Sequence, residues 1–255
     1  RVVLKAIRHN IAIFALHTRL DNHPDGVNRI LIDRLKLNDS RILIPKPSGL
    51  KKLSTYVPKK NSAYVLEALH KAGAGAIGNY SECSFTHEEN GHFTGNQASK
   101  PHLGEPLEKM TIDEVQIQVV FESHLTNSIQ KALMDSHPYE NIAYEFFSLD
   151  NTLTSVGGGR IGTLSKPMEE TLFLAYVKKQ LNTKFIRHSP LIGKEIKTVA
   201  VLGGSGSFAI PNAKQQKADA FITADLKYHQ FYQGVNNLLL LDVGHYESEQ
   251  FTKNL

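Results

Sequence analysis

Two short clusters in this chain carry residue types that could hold a metal ion. Gly244-His245-Tyr246-Glu247-Ser248-Glu249 follows the apolar run Leu238–Val243. His245 and Glu249 are four residues apart, so a helix starting here would place an imidazole and a carboxylate on one face. That pair suits zinc, iron or manganese; the plainer reading is a helix start decorated with acids that favour its dipole. His17 and Asp21 have the same spacing and also follow an apolar run, Ile11–Leu16. Alone, that pair reads as a capping aspartate beside a surface histidine. Together the clusters offer two imidazoles and two carboxylates at the ends of two buried strands, where ligand sites of open α/β sheets gather. His229, after the run Ala220–Thr223, could line the same cleft or be a surface histidine.

A third segment, Gly203-Gly204-Ser205-Gly206-Ser207, follows Thr198–Leu202. It approximates a dinucleotide-binding fingerprint, but Asp225 sits in the wrong kind of loop to be the expected ribose-binding acid. A tight structural turn, or a loop offering N–H groups to an anionic substrate, is the better expectation.

The elements that must position these residues are legible as patterns. The apolar runs at Ile11–Leu16, Thr198–Leu202, Ala220–Thr223 and Leu238–Val243 predict buried parallel strands alternating with helices. Between them, Lys51–Asp150 reads strand, helix, hairpin pieces at Cys83–Thr86 and Gly91–Thr94, strand, helix, strand, the order of a ferredoxin-like unit. Gly157-Gly158-Gly159 reads as a hinge or tight return. We therefore expect an α/β core formed by residues 1–50 and 151–255, discontinuous and three-layered, carrying an inserted α+β domain at 51–150.

Composition narrows the function classes. The chain of 255 residues has 41% hydrophobic and 21% charged residues, which excludes wholesale disorder. Its net charge of +4 is spread over pairs such as Lys51-Lys52 and Lys178-Lys179, with no basic stripe for nucleic acid. Cys83 is the single cysteine, and no apolar run approaches the roughly 20 residues of a membrane span, so a cytoplasmic setting is expected.

Seven segments together resemble the Nif-three-like family of dinuclear metal proteins, also labelled type 2 GTP cyclohydrolase I. They are HTRLD (His17–Asp21), GAGAIGNYSECSF (Gly73–Phe85), HPYENIAYEFF (His137–Phe147), GGGRIGTL (Gly157–Leu164), VAVLGGSGS (Val199–Ser207), DAFITADLKYH (Asp219–His229) and DVGHYESE (Asp242–Glu249), in the family's order. The resemblance implies that the insert is PII- or CutA-like, that the protein is a homo-hexamer, and that it carries two divalent metal ions. It implies Asp21, His245 and Glu249 as metal ligands, with His17 as a ligand or proton carrier and His229 as a second proton carrier. It also implies a hydrolase acting on a small nucleotide-like substrate such as GTP. The alternative is a non-catalytic regulatory or assembly protein whose metals organise the ring. The family's early His-His-Pro segment has no counterpart in residues 1–16, so the chain is expected to continue upstream of Arg1.

Overall fold

The computed structural model describes residues 1–13 and 18–254. Along the chain the elements are α1 Val2–Arg8, α2 Thr18–Asn22, α3 Val27–Arg34 and β1 Asn38–Lys46. Then come β2 Leu50–Pro58, α4 Ser62–Lys71, β3 Ser84–Thr94, β4 Lys109–Glu122, α5 Thr126–Ser136 and β5 Tyr144–Ser148. The chain returns with β6 Leu153–Met168, α6 Glu170–Gln180, β7 Arg187–His188, β8 Ile196–Ser205, α7 Ile210–Gln215, β9 Ala220–Ala224, β10 Leu239–Asp242 and α8 His245–Glu249. Contacts divide it into two units, residues 1–46 with 154–255, and residues 47–153.

The first unit is built on a six-stranded sheet in the order β1-β6-β8-β9-β10-β7. β8, β9 and β10 run parallel, while β6 pairs antiparallel with β8 and β7 antiparallel with β10, so the sheet is mixed rather than wholly parallel. The three parallel strands are buried along nearly their whole length. Layers on both faces explain why their sequences are continuous apolar runs without alternation. Leu31, Ile32, Phe173 and Val177 of α3 and α6 pack on one face. Ile210 and Ala213 of α7, with Leu226, pack on the other. This is a three-layer α/β core.

Two expectations change. Gly157-Gly158-Gly159 is no hinge; it lies inside β6, where a Cβ on Gly157 would collide with the carbonyl oxygen of Ile44. The glycines let β6 lie close against β1. Of the expected strand Ile11–Leu16, residues 14–16 lie outside the described residues, and Ile11 and Ile13 are exposed without regular structure.

The second unit is a four-stranded antiparallel sheet in the order β3-β4-β2-β5, with α4 and α5 between strands in the ferredoxin-like order. β4 alternates buried and part-exposed residues because only one face is covered. Val65, Leu69, Ile129 and Leu133 of the helices cover Leu53, Ile117, Val119 and Phe121. The two expected hairpin pieces are one strand, β3, at the sheet edge. Pro138 ends α5 by forcing His137 into extended backbone. Among the described residues no helix is long and apolar enough to cross a membrane.

Candidate metal centre

The parallel strands β8, β9 and β10 end side by side, with Thr223 in register with Asp242. The chain segments that follow them therefore share one edge of the sheet. Buried Asp242 fixes the exit from β10: its Oδ1 accepts from Gly244 N–H at 3.1 Å, and its Oδ2 accepts from Leu226 N–H at 2.9 Å and from Arg187. α8 then begins at His245.

At this edge His245 Nε2 lies 3.3 Å from Glu249 Oε1, one helical turn on. Its other nitrogen, Nδ1, lies 2.6 Å from Asp225 Oδ2, in the turn after β9. With Nδ1–H donating to Asp225, the Nε2 lone pair points at the Glu249 side. The Asp225 hydrogen bond raises the His245 pKa above its ordinary value, partial burial opposes that, and the charges of Glu249, Asp225 and Asp21 reinforce it. Gly204, at the end of β8, forms the floor of the pair. Its φ is +69°, and a Cβ there would lie 2.6 Å from Glu249 Oε1 and 3.2 Å from His245 Nε2. Glycine is required on both counts.

The other end of the chain is fastened to the same edge through Asn28, a buried residue of α3. Its Nδ2 donates to the Asp21 carbonyl at 2.8 Å, and its Oδ1 accepts from Gly203 N–H at 2.9 Å. The neighbouring Gly204 N–H donates to Ser248 Oγ at 2.9 Å, and that hydroxyl donates to the His245 carbonyl at 2.8 Å. Arg160 donates to the Pro24 carbonyl at 2.9 Å and steadies the turn after α2. One hydrogen-bonded chain thus runs from Asp21 through Asn28, Gly203-Gly204 and Ser248 to His245.

Of the residues expected from the sequence, Asp21, His245 and Glu249 lie at this edge. His17 lies outside the described residues. His229 is exposed in a short 3-10 turn, and among the described residues no hydrogen bond or ion pair joins it to His245 or Glu249. The amides of Gly203 and Gly204 are committed to Asn28 and Ser248, so these two are engaged within the fold. Asp225 was not expected as a partner of His245.

The donors fit part of a metal shell. An ion at about 2.0–2.1 Å from imidazole nitrogen and carboxylate oxygen, in tetrahedral geometry, separates those atoms by about 3.3–3.4 Å. The His245–Glu249 separation of 3.3 Å matches. Among the described residues no group of three or more His, Cys, Asp or Glu side chains is gathered closely enough to hold an ion by itself.

A three-layer α/β core with an inserted ferredoxin-like unit and an imidazole–carboxylate pair at its parallel-strand edge defines the class of protein. All of residues 1–255 match the Duf34/NIF3 (NGG1p interacting factor 3) family, and the chain belongs to it. It is 38% identical over 248 residues to a GTP cyclohydrolase 1 type 2 homolog of Bacillus subtilis, covering 96% of this chain and 66% of the relative. A homolog of the same name from Halalkalibacterium halodurans is 36% identical over 247 residues, again with 96% and 66% covered. Among solved structures, a Bacillus cereus protein related to NIF3 matches with a TM-score of 0.85 at 34% identity, over 99% of this chain and 69% of that one. The Staphylococcus aureus protein SA1388 matches with a TM-score of 0.69 at 27% identity, over 97% of this chain and 65% of that one. The chain thus spans about two thirds of the length of the curated relatives it matches.

Proposed function

We propose that this chain supplies Asp21, His245 and Glu249 to a centre for two divalent ions, zinc, iron or manganese, and that the assembled protein hydrolyses a small nucleotide-like substrate. The observation that carries the reading is the His245–Glu249 pair, spaced at 3.3 Å for a shared ion and aimed by Asp225. The names of the relatives, GTP cyclohydrolase 1 type 2 homolog, support the substrate class.

Divalent ions bound here would supply Lewis acidity and lower the pKa of water towards neutrality. The chain's own residues do the rest. Asp225 keeps the proton on Nδ1, so Nε2 is free to donate its lone pair. Gly204 leaves the space that Glu249 needs. Asn28 holds the Asp21 segment to the strand that carries Gly204. His17 and His229 are assigned as proton carriers, the role an imidazole near such ions can fill. A homo-hexamer in the cytoplasm belongs to the same reading.

Elemental analysis of the intact protein, with formate release from GTP followed before and after chelation, tests it. Bound divalent metal and metal-dependent turnover are expected, with both lost in His245→Ala and Glu249→Gln. Bound metal without turnover of GTP or other nucleotides retires the hydrolase and leaves the regulatory or assembly protein organised by metal. Intact protein that takes up no divalent metal ends the proposal.

A further inference from the structure

The inserted unit contains a cavity of about 510 Å³ that the metal reading does not use. It lies between β3, the start of β4, the loop over residues 95–102 and the segment after α5. Its volume is in the range of small-molecule sites.

The charge on its walls is one-sided. Glu89, Glu114 and Glu140 line it, and no lysine or arginine does, in a chain whose net charge is +4. Glu89 and Glu114 stand directly opposite each other across β3 and β4. Like charges in that relationship are destabilising. The adjacent Glu88 has Lys59 at 2.7 Å, whereas Glu89 and Glu114 have no ion-pair partner among the described residues. Glu114 is half-buried, and Glu89 and Glu140 are exposed at the cavity's rim. Carboxylates opposed across a strand pair without a counter-ion break a local pairing rule, as sites for a ligand of opposite charge do.

Two of the carboxylates, Glu114 and Glu140, are also held in place. Tyr139 donates to Glu114 Oε1 at 2.6 Å, and Glu140 Oε1 accepts from Lys100 N–H at 2.9 Å. Each keeps a second oxygen for another donor. Gly91 gives the Glu114 carboxylate its room, since a Cβ there would overlap Oε2. Tyr139 is fixed in turn by buried His137, whose Nδ1 accepts from Tyr139 N–H at 3.1 Å while Nε2–H donates to the Tyr56 carbonyl at 2.9 Å. Rings from Tyr56, Phe93 and Tyr139 complete the walls, offering flat faces to an apolar body and π-density to a cation.

Two other ligand classes fit poorly. An anion would meet three carboxylates and no permanent cation. A bare metal ion needs converging donors, and no three His, Cys, Asp or Glu side chains among the described residues are so gathered. Spaced carboxylates around an aromatic-walled cavity suit an extended molecule with nitrogen donors at its end.

We propose that this cavity binds a small organic cation, an amine or guanidinium carried on a flat or apolar body, with Glu114 and Glu89 receiving the charge and Tyr56, Phe93 and Tyr139 the body. The test is calorimetric titration of the intact protein with tryptamine, benzamidine and a panel of related aryl and alkyl amines, set against carboxylates of the same rings. Saturable binding of at least one cation is expected, with no binding of its carboxylate counterpart. Loss of a charge-assisted hydrogen bond should weaken that binding by roughly tenfold or more in Glu114→Gln and in Glu89→Gln. Glu114→Gln keeps an acceptor for Tyr139, and unchanged thermal unfolding identifies a folded variant. No saturable binding by any cation of the panel, equal binding of carboxylates, or full affinity in both folded variants overturns the proposal. None of these readouts depends on metal loading, so this proposal and the metal reading fail separately.

Discussion

His245 Nδ1 lies 2.6 Å from Asp225 Oδ2, a contact made between two segments that leave adjacent parallel strands. It decides which nitrogen of His245 faces Glu249, and so which lone pair an ion would meet. Partners of this kind set the tautomer and basicity of a ligating histidine. Replacing Asp225 with Asn or Ala should lower divalent-metal affinity about 10–100-fold while the fold persists. Competition with a chromophoric chelator, alongside far-UV circular dichroism, reads both quantities. Unchanged affinity would mean that the hydrogen bond does not serve metal binding.

Gly204→Ala combines left-handed backbone with a direct collision against Glu249. The strain alone should cost about 1–3 kcal/mol of stability. Metal uptake should fall further than in a variant of equal instability made elsewhere, because Glu249 must move. Urea unfolding and metal titration on the same sample separate the two effects.

Asn28→Ala leaves the Gly203 N–H and the Asp21 carbonyl without their partner. The buried Gly203 amide, orphaned in this way, costs about 1–3 kcal/mol. Because the same side chain ties α2 to β8, the loss should be accompanied by greater hydrogen exchange around residues 20–22. A stability loss with no local change there would contradict the linking role.

The pH dependence of the metal-free protein has a definite sign. The folded-state pKa of His245 is raised, first by Asp225. The resulting stabilisation is fully present below the unfolded value of about 6.5 and is lost as pH rises through the folded value. Metal affinity runs the other way over the same window, since protonated imidazole has no lone pair to give. Chelator-treated protein should therefore lose stability relative to His245→Gln as pH rises above about 6.5, while metal uptake by the wild type grows.

His137 gives the opposite sign in the inserted unit. Burial lowers its pKa, and both ring nitrogens are engaged when it is neutral. The unfolded chain takes up the proton first, so stability falls as pH drops below about 6.5 and stops falling below the depressed folded value. Amide protection in residues 47–153 should decline over that interval in the wild type, and the decline should be smaller in His137→Gln.

Much of the architecture was legible because burial writes itself into sequence. β8, β9 and β10 are covered on both faces and read as unbroken apolar runs; β4 is covered on one face and alternates. β1 was not legible, since Ile42 and Leu43 are its two buried residues and the rest is polar or partly exposed. The strand character of Gly157–Gly159 was hidden because residues without side chains carry no periodicity. In the site, the His245–Glu249 pair is a local spacing and could be read directly. Asp225 belongs to it only through the register of β9 on β10, which places Thr223 beside Asp242. An acid and a histidine at similar offsets past two neighbouring strands was the available signal. Asn28 gave none, since a single asparagine in a helix does not announce which backbone groups it will join.

The central claim is that the two ends of this chain meet on common ions. Anomalous diffraction at the metal edge, on crystals of the intact protein loaded with zinc or manganese, tests it most directly. An ion peak about 2.0–2.2 Å from His245 Nε2 and from a Glu249 carboxylate oxygen, with the Asp21 carboxylate in the same cluster, is the predicted result. A loaded protein whose ions lie elsewhere, with His245 and Glu249 still joined to each other and to no metal, would contradict it.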